Sequence, residues 1–329
     1  MCASAITEEK KEESDTPSMY EMYEDWLKNG PKLMFGEFPL LIDIYLNDSD
    51  DFFIQKAKDE LRETPENVAE SLKELRKLLA EESDLILPDD DSYYIMFLRC
   101  CKWYPKSAFS RMKRYFHFQQ QYPHIYKDLL PSTAKLALCH GLLYALPFRT
   151  NDGCRILVAE AGKRWKPKEV SPNELFKGLI LNLFVAMTEP KTQIAGGRAI
   201  LDMDGLSLHH ITYLTPSFAK MMVDFIQKCL PARLKSIHIV RQSFVFNIAF
   251  GLFKPFLEEK LRKRIFFHGT NFESLMTSMN TNKETLLKKH GGDLEMPEGP
   301  YGETYWRSVL YLEPFVKTKY GYVSDSSKT

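Results

Sequence analysis

The chain of 329 residues lacks a net charge, because 44 Lys+Arg balance 44 Asp+Glu. It also lacks an apolar run of membrane-spanning length. The longest mostly apolar stretch, Phe244 to Leu257, is interrupted by Asn247, Gly251, Lys254 and Pro255 and falls short of the roughly 20 residues a transmembrane helix needs. The first residues, MCASAITEEKKEESD, carry no apolar secretory core, and Cys2 where a Gly would be required excludes N-myristoylation. Cysteine is scarce, at 6 with no C-x-x-C spacing, so neither a disulfide framework nor a zinc ligand set is expected and a reduced cytosolic setting fits. G-x-G-x-x-G, G-x-x-x-x-G-K-[ST] and G-x-S-x-G are all missing, which removes the usual phosphate cradles and the nucleophile elbow. No cofactor, metal or catalytic constellation is expected, and the chain reads as a non-enzyme.

At 44% apolar and 13% aromatic residues, the sequence holds enough buried surface for a folded core. Its charge is segregated. Residues 1 to 100 hold 25 acids and 11 bases, and the remainder holds 19 and 33. Either the two parts complement each other, or the C-terminal part meets an anion: a phosphate, a membrane face or nucleic acid.

Residues 1–18 read as a disordered acidic tail. A helix is expected from Pro65 to about Glu82, with Thr64 as N-cap, Pro65 at N1 and Val68, Leu72, Leu75 and Leu79 as one stripe. Two more follow, Ser92 to Cys101 and Lys106 to Gln121, so the chain to about residue 130 reads as all helix. After Gly153 the pattern changes to β-branched runs alternating with helical ones. The strands are Arg155–Glu160, Arg198–Met203, Ser236–Val240 and Arg264–His268; the helices are Pro172–Met187, Pro216–Leu230 and Phe244–Lys260. That alternation predicts an α/β fold, in which an all-helical N-terminal region precedes a three-layer domain with a mainly parallel sheet.

Asp202-x-Asp204-Gly205 resembles the start of a calcium loop, but the terminal Glu is missing, and two carboxylates capping a turn explain the pair. Adjacent His209 and His210 point to different sides of any regular element and read as structural. The crossover helices are unusually rich in large apolar side chains: Phe218, Met221, Met222, Phe225, Ile226, Cys229 and Leu230 on one, and Phe244 through Leu257 almost all round the other. A helix apolar all round is buried, sits over an apolar ligand or touches lipid; Gly251 and the helix-breaking Pro255 suit a cover that moves. Nearby, Lys228 to Arg264 holds nine bases against Glu258 and Glu259. Grease and positive charge together point to an anionic membrane surface. Nucleic acid would bring aromatics interleaved with the bases, whereas here they lie on apolar faces.

The segment DDSYYIMFLRCCKWYPKSAFSRMKRYFHFQQQY, Asp90 to Tyr122, resembles the N-terminal helical module of the CRAL-TRIO family. Gly153 to Leu294 resembles its lipid-binding domain throughout, in TEPKTQIAGGRAILDMDGLSLHH, LTPSFAK, LPARLKSIHIV, FKPFLEEKLRKRIFFHG and KKHGGDL. The likeness is greatest to the branch of the α-tocopherol and retinaldehyde carriers. It implies residues 19–130 as a helical domain, 131–294 as the CRAL-TRIO domain, 295–329 as a C-terminal extension, and a lid over about Arg241 to Arg264. It further implies a cytoplasmic carrier of a small hydrophobic ligand that associates peripherally with phosphoinositide membranes. By matched position, Arg233, Lys235, Lys260 and Arg264 would hold the phosphoinositide, and Leu179, Leu183, Phe225, Ile226, Ile237, Phe246, Leu252 and Phe253 would face a retinoid, tocopherol-like or other isoprenoid cargo. Leu179 and Leu183 stand where the tocopherol carriers have small polar residues, which removes volume and hydrogen-bonding capacity. Arg241-Gln242-Ser243 replaces a frequent Asn-Glu-Pro, and Cys101 replaces an Arg, so a structural ion pair there is expected to be shifted or lost. A cargo-free adaptor recruited by phosphoinositides is the alternative reading; an isomerase acting on bound retinoid lacks a visible catalytic group.

Overall fold

The computed structural model describes residues 19–87, 90–311, 313 and 321–322, so the acidic tail expected over 1–18 lies outside the described residues. In the N-terminal part the helices are Met19–Asn29, Asp51–Leu61, Pro65–Ala80, Asp91–Cys100 and Pro105–Gln121. Thr64 caps the third, its side chain accepting from the Asn67 backbone N–H, and Pro65 occupies its first turn, where a missing N–H costs nothing. Leu72, Leu75, Phe97, Leu98 and Trp103 bury together with Met112.

This region is not all helix. Met34–Phe35 and Phe38–Pro39 pair antiparallel around Gly36, and residues 40–47 form neither helix nor strand. Leu40, Ile42 and Ile44 on that segment are buried while Leu41 is exposed. The sequence LLIDIYL alternates with period two, but the segment forms no ladder; its Asp43 N–H bonds the Glu189 carboxylate and its Leu41 carbonyl accepts from Arg155.

Five strands form the central sheet in sequential order: Leu143–Arg149, Arg155–Glu160, Gly197–Asp202, Leu234–Val240 and Ile265–Gly269. The first pairs antiparallel with the second, and all later pairs are parallel. The first strand contains Pro147, a residue that argues against a strand when its edge position is not known. Pro is tolerated at a sheet edge, and the ladder shifts register between Ala145 and Arg149.

Strands that advance one place at a time through right-handed crossovers must carry their crossover helices on one face. Those helices are Pro172–Met187, Pro216–Asp224 and Phe244–Phe253. Pro172–Met187 begins with a reciprocal capping box between Ser171 and Glu174. The other two depart from expectation. Pro216–Asp224 passes into a π-helical turn, Phe225–Cys229. The expected helix to Lys260 stops at Phe253, tightens to a 3-10 turn over Lys254–Phe256 and resumes only at Glu259–Arg262. Pro255 is the cause, since it lacks the N–H that would bond Gly251 and its ring crowds that carbonyl.

The opposite face of the sheet carries Ile156, Val158, Ile200 and Val240, packed with Leu275, Met279, Leu286, Leu287 and Phe35. Helix Tyr301–Leu310 packs on the short helix Lys135–Cys139 and reaches Asn182 of Pro172–Met187, and residues 321–322 pair with Leu85–Ile86.

Glu189 ties the parts together. Its carboxylate accepts from Arg155 Nε at 3.0 Å, Thr192 Oγ1 at 2.6 Å and the Asp43 backbone N–H at 3.0 Å, and it pairs with Arg149 at 3.1 Å. Burial pushes this carboxyl up, but the Arg155 and Arg149 charges win and hold it at about 2. A carboxyl depressed on folding adds stability above its unfolded value near about 4.3, and that stability is lost as pH falls toward about 2. Glu189→Gln is expected to cost about 3–5 kcal/mol in urea denaturation, because buried Arg155 and half-buried Arg149 lose their counter-charge. The variant should also show a shallower loss of stability between about pH 4 and pH 2 than the parent chain.

Candidate functional site

Between the sheet and its crossover helices lies a cavity of about 300 Å³. Period-two alternation builds its floor. Leu157, Ala199, Ile237 and Ile265 lie in register across strands two to five and line it, with Ala159, Leu201 and Ile239 one pleat along. Leu175, Leu179 and Leu183, at helical spacing on Pro172–Met187, form one wall; Phe218, Met222 and Ile226 form another. Phe246, Ala249, Phe250 and Phe253 close the top as one stripe of Phe244–Phe253. The outer stripe of that helix faces solvent, with Phe244 77% and Ile248 42% exposed.

Of the eight side chains expected to face a cargo, Leu179, Leu183, Ile226, Ile237, Phe246 and Phe253 line the cavity; Phe225 and Leu252 do not. Each sits next in sequence to a lining residue, and a rotation of about 100° per helical residue carries it off that face. Phe225 is 1% exposed and lies 5.4 Å, centroid to centroid, from both Phe118 and Phe176. It joins the N-terminal helices to the chamber wall.

Polar side chains also reach the lining, Tyr144, Glu160 and Asn182 among them, and sequence reasoning singled out none of these. Glu160 accepts from Tyr144 Oη at 2.7 Å and pairs with Lys289. Asn182 donates to the Gly178 carbonyl at 2.8 Å and accepts from Tyr305 Oη. A lone Asn inside LILNLF was the one available signal. Because these groups are satisfied from within the protein, the chamber presents hydrocarbon to an occupant, and burying a donor or acceptor there would leave it unpaired at a cost of about 1–3 kcal/mol.

Of the four expected phosphate-binding cations, Arg233, Lys235 and Arg264 lie at the start of strands four and five, and Lys260 lies on the short helix before strand five. Gly196, at φ +93°, lets the Arg233 backbone approach; a Cβ there would stand 2.3 Å from the Arg233 carbonyl oxygen. Arg233 Nη2 and Lys235 Nζ both donate to Glu60 Oε2, at 2.6 and 3.0 Å, and Lys56 pairs with Oε1 at 2.7 Å. Burial alone would raise Glu60, yet hydrogen bonds from Lys56, Arg233 and Lys235 pull its carboxyl down to about 2. Arg264 donates to the Leu234 carbonyl, and burial together with the facing Arg233 charge lowers its guanidinium below the ordinary range. Lys260 is exposed on Glu259–Arg262; among the described residues no ion pair or hydrogen bond ties it to the other three. The structure therefore groups Arg233, Lys235 and Arg264 and leaves Lys260 on the solvent side.

The other residues singled out have structural partners. Asp202 accepts from Arg241 Nε at 2.9 Å, His290 Nε2 at 2.9 Å and the Asp204 backbone N–H at 3.0 Å. His210 bonds Ser207 and the Trp165 carbonyl, and His209 packs on Tyr213. Where a structural ion pair was expected to be shifted or lost around Cys101, Arg99 makes a bidentate pair with Glu63.

A sequentially ordered sheet whose crossover helices stand off one face to leave a hydrocarbon chamber defines the class of fold. The family model described as CRAL/TRIO domain matches residues 140–292. The Mus musculus protein described as Alpha-tocopherol transfer protein-like is 31% identical over 267 residues, covering 80% of this chain and 76% of its own. Clavesin-1 of Rattus norvegicus is 31% identical over 260 residues, 78% of this chain and 72% of its own. Clavesin-2 of Homo sapiens is 30% identical over 260 residues, 78% and 77%. The chain belongs to the CRAL/TRIO family of lipid-binding and lipid-transfer proteins. Among the described residues no helix is long and apolar enough to cross a membrane.

Proposed function

We propose that this protein is an intracellular carrier that shelters one small hydrophobic molecule, of retinoid, tocopherol-like or other isoprenoid type, and passes it to phosphoinositide-bearing membranes. The observation that carries the reading is the hydrocarbon-lined cavity of about 300 Å³. Leu179 and Leu183 do not fill that space, which favours a cargo over a cargo-free adaptor. An isoprenoid burying on the order of 400 Å² gains roughly 10 kcal/mol gross at about 25 cal/mol per Å², so release into water is slow and a second apolar phase is needed. Exposed Phe244 and Ile248 on the outer face of the covering helix suit contact with that phase, and the Arg233, Lys235 and Arg264 cluster suits its anionic head groups. A head group that binds the open form better than the closed one shifts the population by linkage.

Native mass spectrometry with organic extraction, on protein purified from its source tissue, tests the reading. A stoichiometric hydrophobic compound of a few hundred daltons is the expected result; reproducibly empty protein that still binds phosphoinositide vesicles would turn the reading toward the adaptor.

Glu60 bears on the same cleft. It occupies Arg233 and Lys235 as an internal counter-anion, so an incoming phosphate must displace it. Glu60→Gln is expected to tighten binding to phosphoinositide vesicles about fivefold, on the scale of about 1 kcal/mol for one partly exposed pair. Unchanged or weaker co-sedimentation would remove Glu60 from the account.

A further inference from the structure

Helix Asp91–Cys100 ends on two adjacent cysteines, and the turn after it is unusual. Lys102 and Trp103 both take φ +56°, a region that non-glycine residues rarely enter. Trp103 is anchored there, 1% exposed, with its indole N–H donating to Glu63. The result places Cys100 Sγ and Cys101 Sγ 3.7 Å apart, both half-buried.

Cys101 faces the Arg111 and Arg114 guanidiniums of the next helix. These are held by the Leu230 and Lys228 carbonyls at 2.8 and 3.1 Å, and Arg111 Nε is buried with no partner among the described residues. A hydrogen bond from Cys100 and the two arginine charges outweigh burial and bring Cys101 down to about 6, while Cys100 is pushed up. Burial pushes Cys139, Cys154 and Cys229 up instead. One thiolate and one thiol thus stand side by side in a cationic setting, the arrangement of an attacking and a resolving sulfur.

We propose that Cys100 and Cys101 form a reactive dithiol that takes a two-electron oxidation from a hydroperoxide and closes to a reversible vicinal disulfide. The Cys101 thiolate attacks the terminal peroxide oxygen; an S–O bond forms, the O–O bond breaks, and the alkoxide leaves and takes up a proton. Cys101 is then a sulfenic acid. Cys100 sulfur attacks Cys101 sulfur, the S–S bond forms, the S–O bond breaks, and water leaves with the Cys100 proton. The two thiols are oxidised by two electrons and the hydroperoxide is reduced to an alcohol and water. Adjacent Cα atoms are about 3.8 Å apart, closer than disulfides favour, so the ring is strained and ordinary thiols reopen it. Closure also removes the negative charge facing Arg111 and Arg114, which hold the segment running on to Arg233 and Lys235. This chemistry is independent of what the cavity carries.

Limiting hydrogen peroxide on the reduced full chain is expected to give a mass loss of about two daltons in the peptide bearing Cys100 and Cys101, reversed by dithiothreitol. Cys100→Ser should stop the reaction at a dimedone-trappable sulfenic acid on Cys101, and Cys101→Ser should slow peroxide consumption at least about tenfold. On the unmodified chain, phenylarsine oxide should be captured one per molecule, and iodoacetamide should alkylate Cys101 with a midpoint near about pH 6. First oxidation at Cys139 or Cys229, over-oxidation of Cys101 without disulfide, or an alkylation midpoint near the ordinary thiol value of about 8.5 would each overturn the proposal.

Discussion

Lys260→Glu combined with Arg264→Glu is expected to abolish binding to phosphoinositide vesicles while leaving capture of an apolar cargo intact. Each reversal changes the local charge by two, and a base near an anionic surface contributes about 1 kcal/mol, so the pair should cost roughly 4 kcal/mol, about a thousandfold. Arg264 also donates to the Leu234 carbonyl, so its loss could disturb the strand. Lys260→Glu alone is the control for that, since its side chain is exposed; it should retain the parent melting temperature and still lose about thirtyfold in co-sedimentation. Vesicle binding that survives the pair means the basic cleft is wrongly assigned.

Ala199→Phe should empty the cavity without touching the cleft. Ala199 sits on the floor between Leu157 and Ile237, and a phenyl ring there grows into the space a ligand would use. Denying a ligand about 120 Å² of contact at about 25 cal/mol per Å² removes roughly 3 kcal/mol, about a hundredfold in affinity. The ring enters a void, so little of the usual overpacking penalty of about 1–3 kcal/mol applies, and melting should hold. Extraction of the purified variant should return no stoichiometric compound, with vesicle binding unchanged. Undiminished cargo would mean that the ligand sits elsewhere.

What could be read in the sequence follows from how local its causes are. Arg155–Glu160 and Pro172–Met187 fall at the expected bounds because β-branched runs, a capping Ser and an N1 proline act within a few residues. The first strand was hidden because Pro147 argues against any strand whose edge position is unknown. The family resemblance assigns Phe225 to the cargo by matched position, whereas its ring packs on Phe118 and Phe176 from a π-helical turn that no matched position announces. The charge of Arg233 and Lys235 is plain in the sequence, but Glu60 lies 173 positions from the first of them, and no periodicity announces a counter-ion at that separation. Pro255 was visible, and the break it imposes was underestimated.

The chamber's polar end depends on Tyr305, which reaches Asn182 across 123 positions, from a helix packed so closely that a Cβ on Gly302 would stand 1.9 Å from the Cys139 carbonyl oxygen. Tyr305 lies roughly 40 positions beyond Ile265, the last residue of the floor, so a ribosome adding about 5–20 residues per second delivers the floor and walls roughly two to eight seconds before the partner of Asn182. Until that helix docks, the Asn182 side-chain oxygen lacks the Tyr305 hydroxyl that satisfies it in the finished fold, and the hollow's polar end keeps an acceptor that only water can pair.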